Sequence, residues 1–243
     1  MQKDISIIIP VCNDASTIGE TIDKVLDFFE LEKLDGEIII VNDGGQRNGV
    51  EIVKEKMFDS DKIRLIDRQI NKGKGFSVRE GVMMAEGKTI FYTDADLPYG
   101  TEYMALMRKK LVNGESDLIL ANRDMAGEGG MKKAPFTRKI THILYSIFVG
   151  ALVVKFSDTQ AGLKGMTKEL GKSIVSQLVI DGFAFDVELI FLAKKMGYKI
   201  GEVPVVLKHS GKSNLKIIFD SPRMIKDILK IVWRYRIGFY KNK

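Results

Sequence analysis

Ile90-Phe-Tyr-Thr-Asp94-Ala-Asp96-Leu-Pro98 is the stretch that decides the fold. An apolar β run ends in two carboxylates two positions apart. On a strand, residues i and i+2 point the same way, so Asp94 and Asp96 are expected to converge at the carboxyl end of a strand. Open α/β sheets bind their ligands at that edge. Two carboxylates there suit a hard divalent cation, which also takes phosphate oxygens and water. The pattern points to metal-assisted chemistry on a nucleoside diphosphate compound. Asp and Pro are also ordinary turn residues, so the pair gains its meaning from its surroundings.

Upstream, strand and helix alternate. Ile5 to Ile9 reads as a buried parallel strand. Thr17-x-x-Glu20 has the pattern of a capping box, and the helix after it lines up Ile18, Ile22, Val25, Leu26 and Phe29. Strands follow at Glu37–Val41 and Ile63–Ile66, with a helix at Val50–Phe58 between them. Asn71-Lys-Gly-Lys-Gly75 turns into a helix that runs to Ala85, and Thr89–Thr93 is the fourth strand. Thr101–Val112 is helical, and Asp117–Ala121 is a fifth strand. Repeated β-α units predict an α/β fold, a mostly parallel sheet with helices on both faces. Beyond Arg123 the pattern weakens. Gly127-Glu-Gly-Gly130 reads as a loop, with helices near Thr137–Gly150, Lys168–Gln177 and Phe185–Met196 and a strand at Val203–Leu207.

Bulk properties narrow the function classes. The 243 residues are 45% hydrophobic and 29% charged, as in a soluble globular protein. Cys12 is the only cysteine, so no intrachain disulfide forms; it reads as a small packed residue. No secretory leader is read at the start, and no apolar run reaches the roughly 20 residues of a membrane span. The longest, Ile140 to Phe156, is broken by Thr141, His142, Ser146 and Lys155. The formal charge of +6 is uneven: from Lys208 to Lys243 ten basic residues face two acidic ones.

Pro10-Val-Cys-Asn13, Val41-Asn-Asp43-Gly-Gly45, Asn71-Lys-Gly-Lys-Gly75 and the Asp94/Asp96 pair all fall where a parallel sheet opens its loops at one edge. Together they resemble the nucleotide-sugar half of the family 2 glycosyltransferases, with the A-type glycosyltransferase fold, a Rossmann-like central sheet. Leu118-Ile-Leu-Ala-Asn-Arg123, Phe156-Ser-Asp158-Thr-Gln160-Ala-Gly162-Leu-Lys164 and Phe185-Asp186-Val-Glu188-Leu are similar to segments of the polyprenyl-phosphate sugar transferases. Within these they look most like the dolichyl-phosphate glucosyltransferase branch, over roughly residues 4 to 215. The mannosyltransferases of the same group are close relatives of that branch.

The resemblance implies roles. Asp43 would contact uracil, with Pro10 and Asn13 shaping the base pocket. Asp94 and Asp96 would hold ribose, diphosphate and an Mg²⁺ or Mn²⁺ ion, with Lys74 also at the nucleotide. Arg123 and Arg138 would bind the acceptor phosphate, with Lys212 on a nearby loop. Asp158 and Gln160 would sit beside the transferred sugar, Asp96 and Asp158 being the catalytic carboxylates. The implied reaction is one inverting displacement of glucose from UDP-glucose onto a polyprenyl or dolichyl phosphate. Mannose from GDP-mannose, or transfer to a saccharide hydroxyl in a surface polysaccharide, stay open as alternatives, as does a non-catalytic binding module. A phosphate acceptor is already anionic near neutrality, whereas a hydroxyl needs a base, for which Asp158 or Asp186 would be the candidates. The chain departs from the family pattern at Asn42, usually aspartate, at Gly45, usually serine, and at Pro98-Tyr-Gly100.

Each residue also has a plain structural reading. Arg123 and Arg138 could be surface ion-pair residues, and Asp158 a cap for the turn before Gly162. Asp186 and Glu188 fall in a first helical turn, where acids are favoured anyway; Glu188 reads as structural. His209-Ser-Gly211-Lys212-Ser213 lacks the upstream glycine of a phosphate loop, which would stand at Val206. His142 and His209 read as structural or surface residues.

The domain reading is a catalytic unit over residues 1–215, its nucleotide-sugar half about 1–123 and its acceptor half about 124–215, followed by a basic helical segment at 216–243. Ser221-Pro222 is a helix start. Ile225, Ile228, Leu229 and Val232 form an apolar stripe, and Arg223, Lys226, Lys230 and Arg234 a basic one. With Trp233, Tyr235, Phe239 and Tyr240 this suits an anionic membrane surface, reached from the cytoplasmic side. Relatives often carry transmembrane helices beyond this point. A chain without them reaches its lipid peripherally, works with a membrane-protein partner, or uses a soluble acceptor. No nucleic-acid recognition motif accompanies the basic tail.

Overall fold

A computed structural model of the chain describes residues 2–12, 15–45, 47–127, 158–208 and 217–241. Among them seven strands form one sheet in the order β3-β2-β1-β4-β6-β5-β7. These are β1 (Ile5–Val11), β2 (Gly36–Asp43), β3 (Ile63–Arg68), β4 (Thr89–Tyr92), β5 (Leu118–Asn122), β6 (Lys164–Thr167) and β7 (Ile200–Pro204). The helices are α1 (Ala15–Leu31), α2 (Arg47–Asp59), α3 (Lys74–Met84), α4 (Glu102–Val112), α5 (Lys168–Val175), α6 (Phe185–Lys195) and α7 (Ile217–Arg236), with a short 3₁₀ turn at Phe239–Lys241.

The inner strands β1, β2, β4 and β5 are buried on both faces, and their alternation sorts side chains into two cores. Ile5, Ile7, Ile9, Ile38, Ile40, Phe91 and Ile119 face α1 and α4, where Ile18, Ile22, Phe29, Met104 and Met107 meet them. Ile8, Ile39, Val41, Ile90, Tyr92, Leu118 and Leu120 face α3, α5, α6 and α7. The expected α/β architecture with helices on both faces is the one observed.

β6 is the strand that sequence periodicity does not predict. It runs antiparallel to both β4 and β5, while its neighbours are parallel within β3-β2-β1-β4 and β5-β7. Its four residues include Lys164, which is 0% exposed. The Lys164 ammonium pairs with Asp186 at 2.7 Å and donates to the Ala161 carbonyl at 2.8 Å. Because β6 runs backwards, the segment before it, 158–163, arrives at the edge where the parallel strands end.

Three boundaries differ from expectation. α1 already includes Thr17, so Thr17 is not its N-cap. The last strand lies at Ile200–Pro204, three residues earlier than expected, because it is registered against β5 from Leu118↔Ile200 onward. α7 starts at Ile217, so Pro222 falls in its second turn, where a proline forfeits one helical hydrogen bond. The expected helix at Thr137–Gly150 lies outside the described residues.

Removing one partner of a buried ion pair leaves the other charge uncompensated. Lys164→Met is expected to destabilise the protein by about 3–5 kcal/mol in urea unfolding. The double variant Lys164→Met/Asp186→Leu is expected to recover most of that loss; equal loss in both would remove the ion pair as the cause.

Candidate active site

The loops after β1, β2, β4 and β5 and the segment before β6 meet at one sheet edge. Asp43 closes β2 and is 3% exposed. Its Oδ1 accepts from Arg68 Nη2 (2.7 Å) and the Lys72 amide (2.7 Å), and its Oδ2 from the Gly73 amide (2.8 Å). The carboxylate assigned to uracil thus anchors the glycine-rich loop. Asn42, the departure from the family pattern, bonds Asp67 through Nδ2 (2.8 Å) and takes the Gly45 amide on Oδ1 (3.1 Å).

The other side of that loop rests on residues 179–181. Asp181 accepts the Gly75 amide at 2.8 Å, and Arg79 donates to the Ile180 carbonyl at 3.0 Å. A Cβ on Gly73, whose φ is 102°, would collide with the Asp181 carbonyl, so this position needs glycine. Segment 179–181 is held in turn by Glu188, which accepts the Val179 (3.0 Å) and Ile180 (2.9 Å) amides and the Tyr240 hydroxyl (2.6 Å). Burial pushes the Glu188 carboxyl up, only partly offset by Tyr240 and these amides. Its structural reading is the one the geometry supports.

The loop delivers Lys74 to Asp94, with Nζ 2.5 Å from Oδ1. Burial opposes charge on this ammonium, yet Asp94 and Asp186 outweigh it and hold Lys74 above its ordinary range. Strand alternation does not place the acidic pair. β4 ends at Tyr92, and the Leu97 amide donates to the Asp94 carbonyl at 3.0 Å, so Asp94–Leu97 is a tight turn. Leu97 closes it at φ 46° and points into the core. Asp94 and Asp96 occupy its first and third positions, both half-buried. Behind Asp94 stands Gly162, where a Cβ would collide with the carboxylate.

The two carboxylates offer the hard oxygens that Mg²⁺ or Mn²⁺ prefer, and Lys74 shows that positive charge is held there. Among the described residues no cluster of three His, Cys, Asp or Glu surrounds a metal position. The donor set therefore fits an ion that takes its remaining ligands from a diphosphate and water.

Asp158 and Arg123 form a two-pronged ion pair, Nε to Oδ2 at 2.7 Å and Nη2 to Oδ1 at 2.8 Å, and the Arg123 amide adds a third bond at 3.0 Å. Burial pushes the Asp158 carboxyl up, but Arg123 overrides it and leaves Asp158 below the usual carboxylate range. Asp186 is equally engaged: it takes the Tyr92 hydroxyl at 2.5 Å and the Lys164 ammonium at 2.7 Å. Asp158 is therefore a poor base near neutral pH, and both Asp186 contacts are to groups that hold it in place.

Sequence reasoning passed over Tyr99, Arg68 and Gly162. Tyr99 is buried among Arg123, Asp158 and Asp94, beside the Gly162 backbone, and burial pushes its phenol up. Its only sequence signal is the unusual Pro98-Tyr-Gly100 ending. Pro10 is the penultimate residue of β1, opposite Val41, and the nearby Cys12 thiol accepts from Asn71 at 3.3 Å. Gln160 lies on the same segment as Asp158 and Gly162. Asn13, Arg138, Lys212, His142 and His209 lie outside the described residues.

Comparison with known proteins adds the family context. The family model described as Glycosyl transferase family 2 matches residues 6–170. The chain is similar to a dolichyl-phosphate beta-glucosyltransferase of Dictyostelium discoideum, 32% identical over 98% of this chain and 77% of that protein. The Mus musculus protein of the same description is 31% identical over 99% of this chain and 78% of its own length. Among solved structures, Mycobacterium tuberculosis glucosyl-3-phosphoglycerate synthase in complex with uridine-diphosphate superposes with a TM-score of 0.70 at 14% identity, covering 95% of this chain and 80% of that one. Its complex with Mn²⁺, uridine-diphosphate-glucose and phosphoglyceric acid gives 0.69 at 16% identity, with coverages of 95% and 80%. At such identity the likeness carries the fold alone, and it is the A-type glycosyltransferase fold that the resemblance implied.

Misplacing a reacting group by about 1 Å can slow a reaction roughly a hundredfold. Gly162→Ala must displace the Asp94 carboxylate, so kcat/KM is expected to fall by about that factor. Circular dichroism and urea unfolding are expected to show a folded protein, weakened by about 1–3 kcal/mol. Unchanged kinetics would mean that Asp94 does not act where Gly162 holds it.

Proposed function

The chain belongs to glycosyl transferase family 2, and from that premise we propose that it moves glucose from UDP-glucose to the phosphate of a polyprenyl or dolichyl lipid in one inverting displacement. The observation that carries the acceptor class is the Arg123–Asp158 pair. A saccharide hydroxyl must lose its proton as it attacks, which calls for a base with a pKa near the working pH. Asp158 sits below the ordinary carboxylate range and Asp186 is buried against Lys164 and Tyr92. A phosphate monoester needs no such base, since its second ionisation falls near pH 6, about one unit below neutrality. A guanidinium has five donors, of which Asp158 takes two through the side chain, and its planar fork matches phosphate oxygens. The dolichyl-phosphate beta-glucosyltransferases similar to this chain support the same acceptor and sugar.

On the donor side, negative charge develops on the diphosphate as the sugar leaves. Lys74 is held at that place as a fixed cation, and the glycine-rich loop carrying it is clamped by Asp43 on one side and by Asp181 on the other. Asp94 and Asp96 would hold the divalent ion, which as a Lewis acid neutralises charge on the leaving group. Tyr99, buried near Asp94 and Asp158, would help to keep water from the space between them. None of the described helices is long and apolar enough to cross a membrane, and we place the reaction at the cytoplasmic surface of one.

The test is a panel of UDP- and GDP-sugars with Mg²⁺ or Mn²⁺, with and without a short polyprenyl phosphate. UDP release from UDP-glucose that depends on the lipid phosphate is expected. Arg123→Lys keeps the charge but loses the fork, and is expected to raise the acceptor KM about tenfold while the donor KM holds. Release that ignores the lipid and responds to a saccharide would contradict the acceptor assignment.

A further inference from the structure

We propose that α7 docks the enzyme on an anionic bilayer through an outer apolar stripe made of Ile225, Leu229, Trp233 and Ile237. The proposal deepens the lipid-phosphate reading and rests on it for its purpose, but its geometry stands on α7 alone. A surface helix normally carries one apolar stripe, turned to the core. Here α7 carries two. Ile228 and Ile231 are buried against α6 and its neighbours, Met224 is buried as well, and the Tyr235 ring meets Phe191 edge-on at 5.1 Å. The sequence stripe of Ile225, Ile228, Leu229 and Val232 is therefore split: Ile228 and Val232 turn to the body, and Ile225 and Leu229 turn away.

The residues turned away recur every fourth position and so line up along the helix. Their exposures are 40% for Ile225, 51% for Leu229, 59% for Trp233 and 54% for Ile237. Ile237 continues the row, its amide bonding back to the Trp233 carbonyl at 3.1 Å. Single exposed apolar residues are ordinary; four in line form a surface that calls for a partner.

Charge decides which partner. Lys226 and Lys230 each follow a stripe residue by one position, placing an exposed basic row along one border, and exposed Arg236 lies within the stripe's arc. From Met224 to Lys241 the sequence has five basic residues and one acid, Asp227. A second copy of this chain, pairing by two-fold symmetry through the stripe, would bring these cations together. Anionic headgroups compensate them, while the apolar row enters the acyl boundary. Trp233 has the amphipathic ring favoured at that depth, and the lysine stems can reach outward to the headgroups.

Trp233 is the single tryptophan of the chain, so its emission reports on the stripe directly. The experiment mixes the full chain with phosphatidylcholine vesicles, with and without phosphatidylglycerol, without donor or polyprenyl phosphate. A blue shift of Trp233 emission and co-flotation are expected with the anionic vesicles, both weakened by added salt. Ile225→Ser/Leu229→Ser is expected to weaken binding at least about tenfold. Thermal unfolding and transfer to a short, detergent-dispersed polyprenyl phosphate are expected to stay unchanged in that variant. Emission and flotation indifferent to anionic lipid, or equal binding by the variant, would overturn the proposal. So would a blue shift without vesicles that grows with protein concentration and tracks a dimer in sedimentation, which would assign the stripe to a second copy. Because these vesicles hold no substrate, binding without lipid-phosphate transfer would keep the docking surface and sink only the acceptor assignment.

Discussion

A carboxylate wholly or partly withdrawn from water must be compensated, and around this sheet edge five of them are. Each buried charge would otherwise cost several kcal/mol. Asp43 takes Arg68 and two amides, Asp94 takes Lys74, and Asp158 takes Arg123. Asp186 takes Lys164 and Tyr92, and Glu188 takes two amides and Tyr240. Apart from the two Glu188–amide bonds, each of these joins segments at least 20 residues apart in sequence. The need to neutralise the acids is thus also what ties the glycine-rich loop, the segment before β6, the start of α6 and the C-terminal turn into one frame.

That constraint has a chemical consequence. A carboxylate locked to a guanidinium is a poor proton acceptor, so the site gains fixed positive charge at the expense of basicity. Fixed cations suit a reaction in which an anionic nucleophile meets a diphosphate leaving group. In the proposed reaction Lys74 would face the leaving group and Arg123 the incoming one, each held by the acid it neutralises. The same frame reaches the C-terminal helix: Tyr240 bonds Glu188, Glu188 holds residues 179–180, and Asp181 holds Gly75 beside Lys74. A helix seated on a bilayer would share a rigid support with the donor loop.

The parallel half of the fold was legible because buried strands are written as apolar runs. Ile5–Ile9, Glu37–Val41 and Ile63–Ile66 all fall inside observed strands. β6 was not, since four residues, Lys-Gly-Met-Thr, carry no periodicity and a lysine at their head argues against burial until Asp186 is known to meet it. That Lys74 and the Asp94/Asp96 turn come together at the sheet edge was legible from their motifs. The reasoning for the acidic pair was not right in detail, because a turn and not a strand presents them. The bonding partners of Asp43 and Asp158 could not be read, since Arg68 and Arg123 lie 25 and 35 residues away. The C-terminal helix was legible as amphipathic, but which apolar residues face the body depends on where α6 lies.

The central claim is that the acceptor brings its own negative charge and that Asp158 serves as the counter-ion of Arg123. It is tested most directly by the pH dependence of single-turnover transfer, measured with two lipid acceptors whose phosphoryl groups differ in second pKa. The account predicts an acidic limb near pH 6 for the phosphate monoester that moves with the acceptor's pKa. A limb that stays at the same pH for both acceptors would belong to an enzyme carboxylate acting as base, and would contradict it.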